Sequence, residues 1–187
     1  MSPLIINGRS EKDLLKACLQ GDRTAQRDIF NMYAGKMMAI CLRYTRHRHE
    51  AEDILQDSFV KVFTHLDEFE NIGSFEGWVR RIIINTAIKN NQKKSFSHED
   101  IGLDHIKEDN TASPEIFSTL SEEELTKLIS DLPDGYRIVF NLFAIEGFSH
   151  KEISEMLSIG ESTSRSQLMK ARRILQEKVH ELYTVAI

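Results

Sequence analysis

Helical periodicity runs through nearly all of this 187-residue chain. Outside one central segment, apolar residues recur every three or four positions and strand-type alternation is absent. The whole chain has only 3 Pro and 9 Gly that could interrupt the pattern. Between about residues 49 and 66, one helix face is marked by the regular spacing of Leu55, Phe59, Val62 and Leu66. The sequence therefore predicts an all-α protein.

Capping and breaking residues divide this pattern into separate helices. Ser10 with Asp13 starts a first helix, and further helices are predicted at about residues 22–33, 34–45, 49–66 and 74–94. Ser121 and Glu124 form a capping box for a helix that ends near Pro133, where the next helix starts. Residues 1–9 lack a charged start followed by an apolar core, so a disordered lead is predicted rather than a signal peptide.

A composition change separates the two halves of the chain. Residues 95–132 carry 2 Lys and Arg against 10 Asp and Glu, a net charge of −8, whereas residues 1–94 have a net charge of +3. The start of this acidic segment has few large apolar residues and no sustained period, which is typical of a linker. We therefore expect two helical domains, residues 10–94 and 121–187, joined by an acidic flexible linker at residues 95–120.

Several classes of protein are disfavoured. No apolar run approaches the roughly 20 residues of a membrane span. Cys18 and Cys41 lack metal-binding spacing and are expected to be buried thiols of a cytoplasmic protein. No metal cluster, phosphate-binding loop or nucleophile–base pair is evident, so we expect no catalytic residue, no metal and no cofactor.

Residues 147–173 have the outline of a helix-turn-helix, the fold whose second helix enters the major groove of DNA. Ser149 and Glu152 form a capping box, a turn built on Gly160 follows, and a longer helix begins at Glu161. The helical period turns one side of that helix towards the core, namely Ser164, Leu168, Ala171 and Leu175. The opposite side and its flank carry the candidate contacts to bases and phosphates, which are Ser162, Arg165, Ser166, Met169, Lys170 and Arg173. Arg172 also flanks this side. A bare helical hairpin is the alternative.

The predicted helix at 49–66 carries a polar face off its apolar stripe. Asp53, Gln56 and Asp57 are neighbours on a helix because they are separated by three and four positions. An exposed acidic face can dock a basic helix of a partner, or it can simply be solvated.

The predicted helix at 74–94 carries a basic and amide-bearing stripe. Arg81, Asn85, Lys89 and Lys93 recur at helical spacing and could contact phosphates and base edges, although a solvated face is equally consistent with this spacing. The preceding loop contains Phe69, Phe75 and Gly73, and such aromatics can take up unstacked bases. Ordinary core packing is the alternative for the aromatics and is favoured for Trp78.

Four motifs in order resemble the sigma-70 family, in its extracytoplasmic-function (ECF) group. Residues 51–63 are similar to the family's AEDxxQxxFxxxF helix, and residues 75–87 to its FxxWLxxIAxN segment. Residues 132–149 resemble LPxxxRxxFxLxxxEGxS, and residues 161–172 resemble the recognition helix GTVRSRLxRAR. The resemblance covers about residues 10–94 and 121–180, and it implies a bacterial transcription initiation factor.

The resemblance assigns roles to matching positions. Asp53, Gln56 and Asp57 would dock on the β′ clamp helices of core RNA polymerase, and the second domain on its β flap. The loop from Phe69 to Phe75, with Asn85, would capture a flipped base of the −10 promoter element, while the nearby DNA backbone would be held by Arg81, Lys89 and Lys93. The −35 element would be contacted by the recognition-helix residues already named, and the acidic linker would thread the polymerase cleft.

Departures from the family pattern fall in the recognition helix. Ser164 replaces the usual Val on the core-facing side, where we expect looser packing. Gln167 and Met169 replace basic or bulkier residues, which predicts weak or altered −35 contact. We therefore expect that this factor depends on another recruiting protein. Because the chain lacks the long C-terminal extension of some relatives, we also expect control by a separate protein, such as an anti-sigma factor.

Two other functions compete with this interpretation. One is a stand-alone helix-turn-helix regulator that does not form holoenzyme, for which the face of Asp53, Gln56 and Asp57 would be dispensable. The other is an enzyme with a DNA-binding tail, which the absence of clustered polar residues in the first domain disfavours.

Overall fold

The computed structural model describes residues 5–6, 8–70, 72–95 and 121–184. Eight α-helices follow one another in this part of the chain, at α1 Glu11–Leu19, α2 Arg23–Tyr44, α3 Arg48–Thr64, α4 Phe75–Ser95, α5 Glu122–Ser130, α6 Asp134–Phe140, α7 His150–Leu157 and α8 Glu161–Thr184. A 3₁₀ turn at Leu66–Glu68 follows α3, and a π-helical turn at Asn141–Ile145 follows α6. The all-α prediction is confirmed, and the predicted linker lies outside the described residues except for Ser95.

Two short strands are the exception to the all-α pattern. Ile5–Ile6 pairs antiparallel with Arg9–Ser10, and Gly8 in the turn between them has a φ of 76°. Only glycine adopts that conformation without steric cost. The described part of residues 1–9 therefore forms a hairpin where the sequence predicted a disordered lead, and Arg9 adds an ion pair of 3.2 Å to Asp22.

The chain divides into two compact units, Met1–Lys89 and Asn90–Ile187. In the first, α2 packs against α1 and α3, and aromatic rings join the helices. Phe30 of α2 meets Phe59 of α3 edge-on at 4.8 Å between ring centroids, and Tyr33 meets Phe75 of α4 at 5.5 Å. The Tyr33 hydroxyl donates a hydrogen bond to the Glu11 carboxylate, which ties α1 to the same cluster.

Helix α2 corrects one sequence-based prediction. Two helices were expected at 22–33 and 34–45, but the structure has one continuous helix capped by the Asp22 carboxylate. Gly35 lies in its interior. A glycine there costs about 1 kcal/mol relative to alanine, and the burial of Tyr33 and Met37 on either side is enough to offset that cost.

The second unit has its own apolar core. Leu128, Ile129 and Leu132 at the end of α5 pack against a stripe on α8 formed by Ala171, Leu175 and Val179. Helices α6 and α7 also pack against α8, so the recognition helix is the central element of this unit. Both predicted capping boxes are present, at Ser121 with Glu124 and at Ser149 with Glu152.

The turn between α7 and α8 lies where it was predicted, but Gly160 is not its critical residue. Ser158 adopts the left-handed conformation, with φ 56° and ψ 43°, and its backbone N–H bonds to Ser154. The left-handed conformation is uncommon for residues other than glycine, and short polar side chains adopt it more readily than bulky or β-branched ones. Gly160 adopts no positive φ, and a Cβ there would meet only ordinary contacts of 3.5 Å or more.

Both cysteines are buried in the first unit as free thiols. Burial raises the pKa of Cys18 to about 11 and that of Cys41 to about 12. Within the described ranges, no helix has the length and apolarity that crossing a bilayer requires.

Candidate protein and nucleic-acid interfaces

Helix α3 presents a polar face opposite its buried side. Asp53, Gln56 and Asp57 are all exposed, whereas the other side of the helix is buried at Ile54, Leu55, Phe59 and Val62. Among the residues that the structure describes, the three polar side chains form no hydrogen bond or ion pair with one another or with neighbours. Val60, 65% exposed, continues this surface by one turn. The face is therefore open to a partner and carries two negative charges beside an apolar side chain.

Helix α4 carries the basic stripe on its solvent side. Arg81, Asn85 and Lys89 are exposed, and the backbone of Lys93 continues the helix. The opposite side is buried and mainly apolar, at Val79, Ile83, Ile84, Ala87 and Ile88, and it also buries the hydroxyl-bearing Thr86. Because the helix is anchored by this apolar side, the polar stripe is held on a rigid support and not on a loop.

The loop before α4 forms an aromatic cluster with the first turn of that helix. Phe69 lies 5.3 Å from Phe75 and 5.4 Å from Trp78, measured between ring centroids. Phe75 is only 2% exposed, so it cannot stack on a base as the sequence prediction supposed. It is a core residue that supports the half-buried Phe69 and Trp78. The tip of the loop is open, with Ile72 80% exposed beside Gly73 at a φ of 84°.

The recognition helix α8 has the predicted division of sides. Its inward residues Ser164, Leu168, Ala171 and Leu175 are all buried, which confirms the helical phase. Ser162, Arg165, Ser166 and Arg173 are exposed, and Met169 and Lys170 are half-buried. The candidate DNA contacts therefore share one accessible side of one helix.

Long cationic side chains of α8 are oriented by local contacts. The Arg165 guanidinium is 2.6 Å from the Glu161 carboxylate, and Arg173 lies 3.4 Å from Glu177. Lys170 stands over the Tyr136 ring at 5.9 Å, and Arg172 over the Phe143 ring at 5.7 Å. Such contacts reduce the side-chain freedom that a cation loses when it binds a phosphate.

Gln167, one of the departures from the family pattern, faces α6. A Cβ added at Gly135 would come within 3.3 Å of its amide nitrogen, so α6 and α8 approach closely at this point. Gln167 therefore contributes to packing between these helices.

Ser164 is the second departure, and the structure corrects the expectation of looser packing there. Its side chain is fully buried, and its hydroxyl lies 2.9 Å from Nδ1 of His150 at the start of α7. The His150 ring in turn stacks on Phe143, with centroids 4.5 Å apart. A directional polar contact thus replaces apolar filling. No local sequence pattern indicates this contact, because the two residues are 14 positions apart on different helices.

Arg137 is a structural residue whose role periodicity did not reveal. It is 1% exposed, yet it is charged. Its guanidinium donates to the carbonyl oxygens of Ser130 at 3.0 Å and Leu132 at 3.2 Å, and to the Asp134 carboxylate at 2.8 Å. One side chain therefore closes the end of α5 and fixes the turn into α6.

The capping boxes have an electrostatic signature. Hydrogen bonds from Ser121 lower the pKa of Glu124, and hydrogen bonds from Ser149 do the same for Glu152, with the backbone N–H as the largest cause in each case. Across the described residues, no group of three or more His, Cys, Asp or Glu is arranged to hold a metal ion.

Comparisons with known proteins match both units. Residues 29–96 match the family described as Sigma-70 region 2, and residues 122–175 match Sigma-70, region 4. The chain is 29% identical over 187 residues to the ECF RNA polymerase sigma factor SigW of Bacillus subtilis, covering 91% of this chain and 97% of the relative. It is 27% identical over 185 residues to the ECF RNA polymerase sigma-E factor of Haemophilus influenzae, covering 92% and 97%.

Among solved structures, the fold is similar to that of the sigma factor RpoE of Bartonella quintana, crystallised with the anti-sigma factor NepR. The TM-score is 0.50 at 20% identity, and the match covers 81% of this chain and 94% of that one. The two helical units are those of sigma regions 2 and 4. The chain belongs to the sigma-70 family, in its extracytoplasmic-function group.

Proposed function

We infer that this protein is an RNA polymerase sigma factor that binds core polymerase and directs promoter-specific initiation. The observation that carries this function is the presence, in one chain, of an open acidic face on α3, a basic stripe on α4 and an accessible recognition helix α8. A stand-alone regulator needs only the last of these. The polymerase would perform the chemistry in the cell interior, and the factor would supply recognition without catalysis.

The domain assignment follows from these surfaces. Residues 10–94 would act as region 2, which binds polymerase and opens the −10 element, and residues 121–187 would act as region 4, which contacts the −35 element and the β flap. The acidic linker at 95–120 would pass through the polymerase cleft. Residues 1–9 would precede the functional domains.

The α3 face is proposed to dock on the β′ clamp helices. Asp53 and Asp57 supply negative charge, and Gln56 supplies an amide between them, all without competing partners among the described residues. Complementary charge accelerates association and fixes the register of a helix against its partner.

The α4 stripe and the adjoining loop are proposed to engage the −10 element. Asn85 offers an exposed amide for a base edge, and Arg81, Lys89 and Lys93 would hold phosphates. Phe69 is the aromatic that an unpaired base could reach, and Phe75 supports it from below. Capture of a base by this loop would stabilise opened DNA.

The exposed side of α8 is proposed to contact the −35 element. Ser162 and Ser166 lie near the start of the helix, where side chains reach base edges, and Arg165 and Arg173 can reach phosphates or guanine. Met169 and Lys170 complete this surface. An anti-sigma factor or a recruiting protein is proposed as a further partner that controls access to these surfaces.

Reconstituted transcription with core polymerase tests the proposed function. The full chain should support initiation from promoters selected from a randomised library, and the double variant Asp53→Lys, Asp57→Lys should abolish both polymerase binding and initiation. The double variant Glu123→Lys, Glu181→Lys makes the same charge change at exposed positions of the second unit and should leave polymerase binding intact. Promoter binding by the chain alone, with no effect of the α3 reversal, would establish the stand-alone regulator instead.

A further inference from the structure

His150 occupies a defined position in the helix-turn-helix unit. It is the first residue of α7, half-buried, with one face of its ring stacked on Phe143. Its Nδ1 lies 2.9 Å from the Ser164 hydroxyl. Its Nε2 has no hydrogen-bond partner among the described residues and is not a buried atom, so it is open to solvent. Phe143 and Ser164 therefore hold the His150 ring in place, and its Nε2 remains available to an external partner.

The contact with Ser164 determines which nitrogen carries the proton. The Ser164 side chain is completely buried, and within the described residues its hydroxyl has no hydrogen-bond partner other than Nδ1. A buried hydroxyl donor is almost always satisfied. The 2.9 Å contact permits either donor, and on this satisfaction argument we assign the hydroxyl as the donor to Nδ1, which places the proton of the neutral imidazole on Nε2.

The surroundings favour this neutral form. Burial is the largest cause that lowers the pKa of His150, and Arg165 and Arg172 of α8 lower it further, whereas Glu161 opposes them. The π-helical turn contributes the uncharged Phe143. The imidazole is thus a neutral N–H donor beside Arg165, which belongs to the proposed DNA-contacting side, and Arg172, which flanks that side.

We propose that His150 donates its Nε2–H to a backbone phosphate of the promoter duplex, with Ser164 as the positioning residue that fixes the donor. This inference rests on the proposed −35 contact by α8 and extends it to α7. In a helix-turn-helix the first helix crosses the DNA backbone while the second enters the groove, so a donor at the start of α7 meets phosphate and not base.

A neutral donor leaves a specific signature in binding. It contributes affinity without neutralising charge, so its removal should leave the salt dependence of binding unchanged. An arginine that binds the same phosphates displaces a counterion from the DNA. Substituting that arginine should reduce the slope of log affinity against log salt concentration by about one. The two kinds of contact are therefore distinguishable in the same assay.

The variant His150→Phe keeps an aromatic ring on Phe143 but lacks the donor. Holoenzyme containing it should bind a selected promoter duplex about tenfold more weakly, as expected for one hydrogen bond from a neutral donor to a charged phosphate. The salt slope should stay the same, and the loss should be equal for different −35 sequences. Arg165→Gln, the comparison variant, removes a proposed phosphate contact and should lower the slope. Unchanged affinity of His150→Phe, or a loss confined to one −35 sequence, would overturn the proposal.

The role of Ser164 has an independent spectroscopic test. In the full chain labelled with ¹⁵N-histidine, the His150 signals, assigned by their absence in His150→Phe, should show a protonated Nε2 and a bare Nδ1. Ser164→Val should keep the fold but mix the two protonation patterns and weaken DNA binding as His150→Phe does. A protonated Nδ1 in the unmodified chain would refute the positioning role.

The failure of this inference is separable from failure of the proposed function. If the unmodified holoenzyme does not protect −35 DNA at all, the function itself is wrong. If it does and His150→Phe binds equally well, only the phosphate contact is wrong.

Discussion

The two helices proposed to reach promoter DNA are held in place by different kinds of contact. Helix α4 buries a mainly apolar side, with Val79 and Ile83 fully buried in the first unit and Thr86 as a buried polar residue beside them. Helix α8 combines an apolar stripe with the buried hydroxyl of Ser164, which bonds to His150. Its unit also depends on the buried guanidinium of Arg137.

This difference matches the two tasks. Apolar packing is strong but largely non-directional, and it suits a helix that must stay rigid while DNA is opened beside it. Hydrogen bonds and ion–ring contacts are directional, and they suit a small unit whose side chains must stand at set positions over a groove. Each kind of support predicts a different response to substitution.

The largest expected effect is the loss of apolar support in the first unit. Ile83→Ala removes a fully buried side chain from α4 and should destabilise that unit by about 3 kcal/mol, since it loses burial and leaves a cavity. Amide hydrogen exchange should show loss of protection in α1 to α4. Ile72→Ala, at an 80% exposed position, is the control and should have no comparable effect.

A slightly smaller effect is expected when the buried polar support of the second unit is removed. Arg137→Met keeps much of the volume but abolishes the hydrogen bonds to Ser130, Leu132 and Asp134, and it should cost about 2 to 3 kcal/mol because carbonyl oxygens lose their donors. Exchange protection should fall in α5 to α8 only. Arg173→Met, at an exposed arginine of the same unit, should be nearly neutral. Equal stability of both variants would contradict the structural role of Arg137.

An intermediate effect is expected from the cap of α7. Ser149→Ala removes the acceptor for the Glu152 backbone N–H and the partner of its carboxylate, and it should cost about 1 kcal/mol. Urea unfolding followed by circular dichroism measures this change. Ser149→Asp should retain most of the stability, because a carboxylate can also cap the helix. If Ser149→Asp were as unstable as Ser149→Ala, loss of the helix cap could not explain the lower stability of Ser149→Ala.

The smallest effect concerns pH. The pKa of His150 is lowered from its usual value of 6.5 by burial and by the neighbouring arginines. Because the unfolded chain then binds a proton at a higher pH than the folded chain, His150 contributes stability above about pH 6.5 that is lost as the pH falls through the folded pKa. Exchange protection in α7 and α8 should decline on acidification from pH 7.5 to 5.5. His150→Gln should reduce this decline, and an unchanged decline would assign it to other groups.

The sequence predicted the elements that local rules determine. The inward side of α8 and both capping boxes follow from helical period and from spacing within one turn, so Ser164 and Leu168 were correctly placed inside. The continuity of α2 was missed because Gly35 weakens a helix without ending it. The burial of Phe75 was missed because an aromatic beside a basic helix suits either a core or a base-stacking surface.

Contacts between distant parts of the chain were beyond sequence reasoning. Arg137 bonds to carbonyl oxygens of the preceding turn, and nothing in the period of α6 shows that its charge is buried. The His150–Ser164 pair exists only because α7 and α8 cross at that point. Such pairs depend on tertiary structure, and the sequence alone shows only that Ser164 departs from the family pattern.

The two buried thiols, Cys18 and Cys41, should react poorly with thiol reagents. Only the thiolate is an effective nucleophile, and with pKa values of about 11 and 12 Cys18 and Cys41 remain protonated and shielded at neutral pH. Oxidants and alkylating reagents should therefore react with these two thiols only slowly. A single cysteine introduced at the exposed Val60 should therefore take up a maleimide fluorophore selectively, and its emission would report directly on docking of the α3 face.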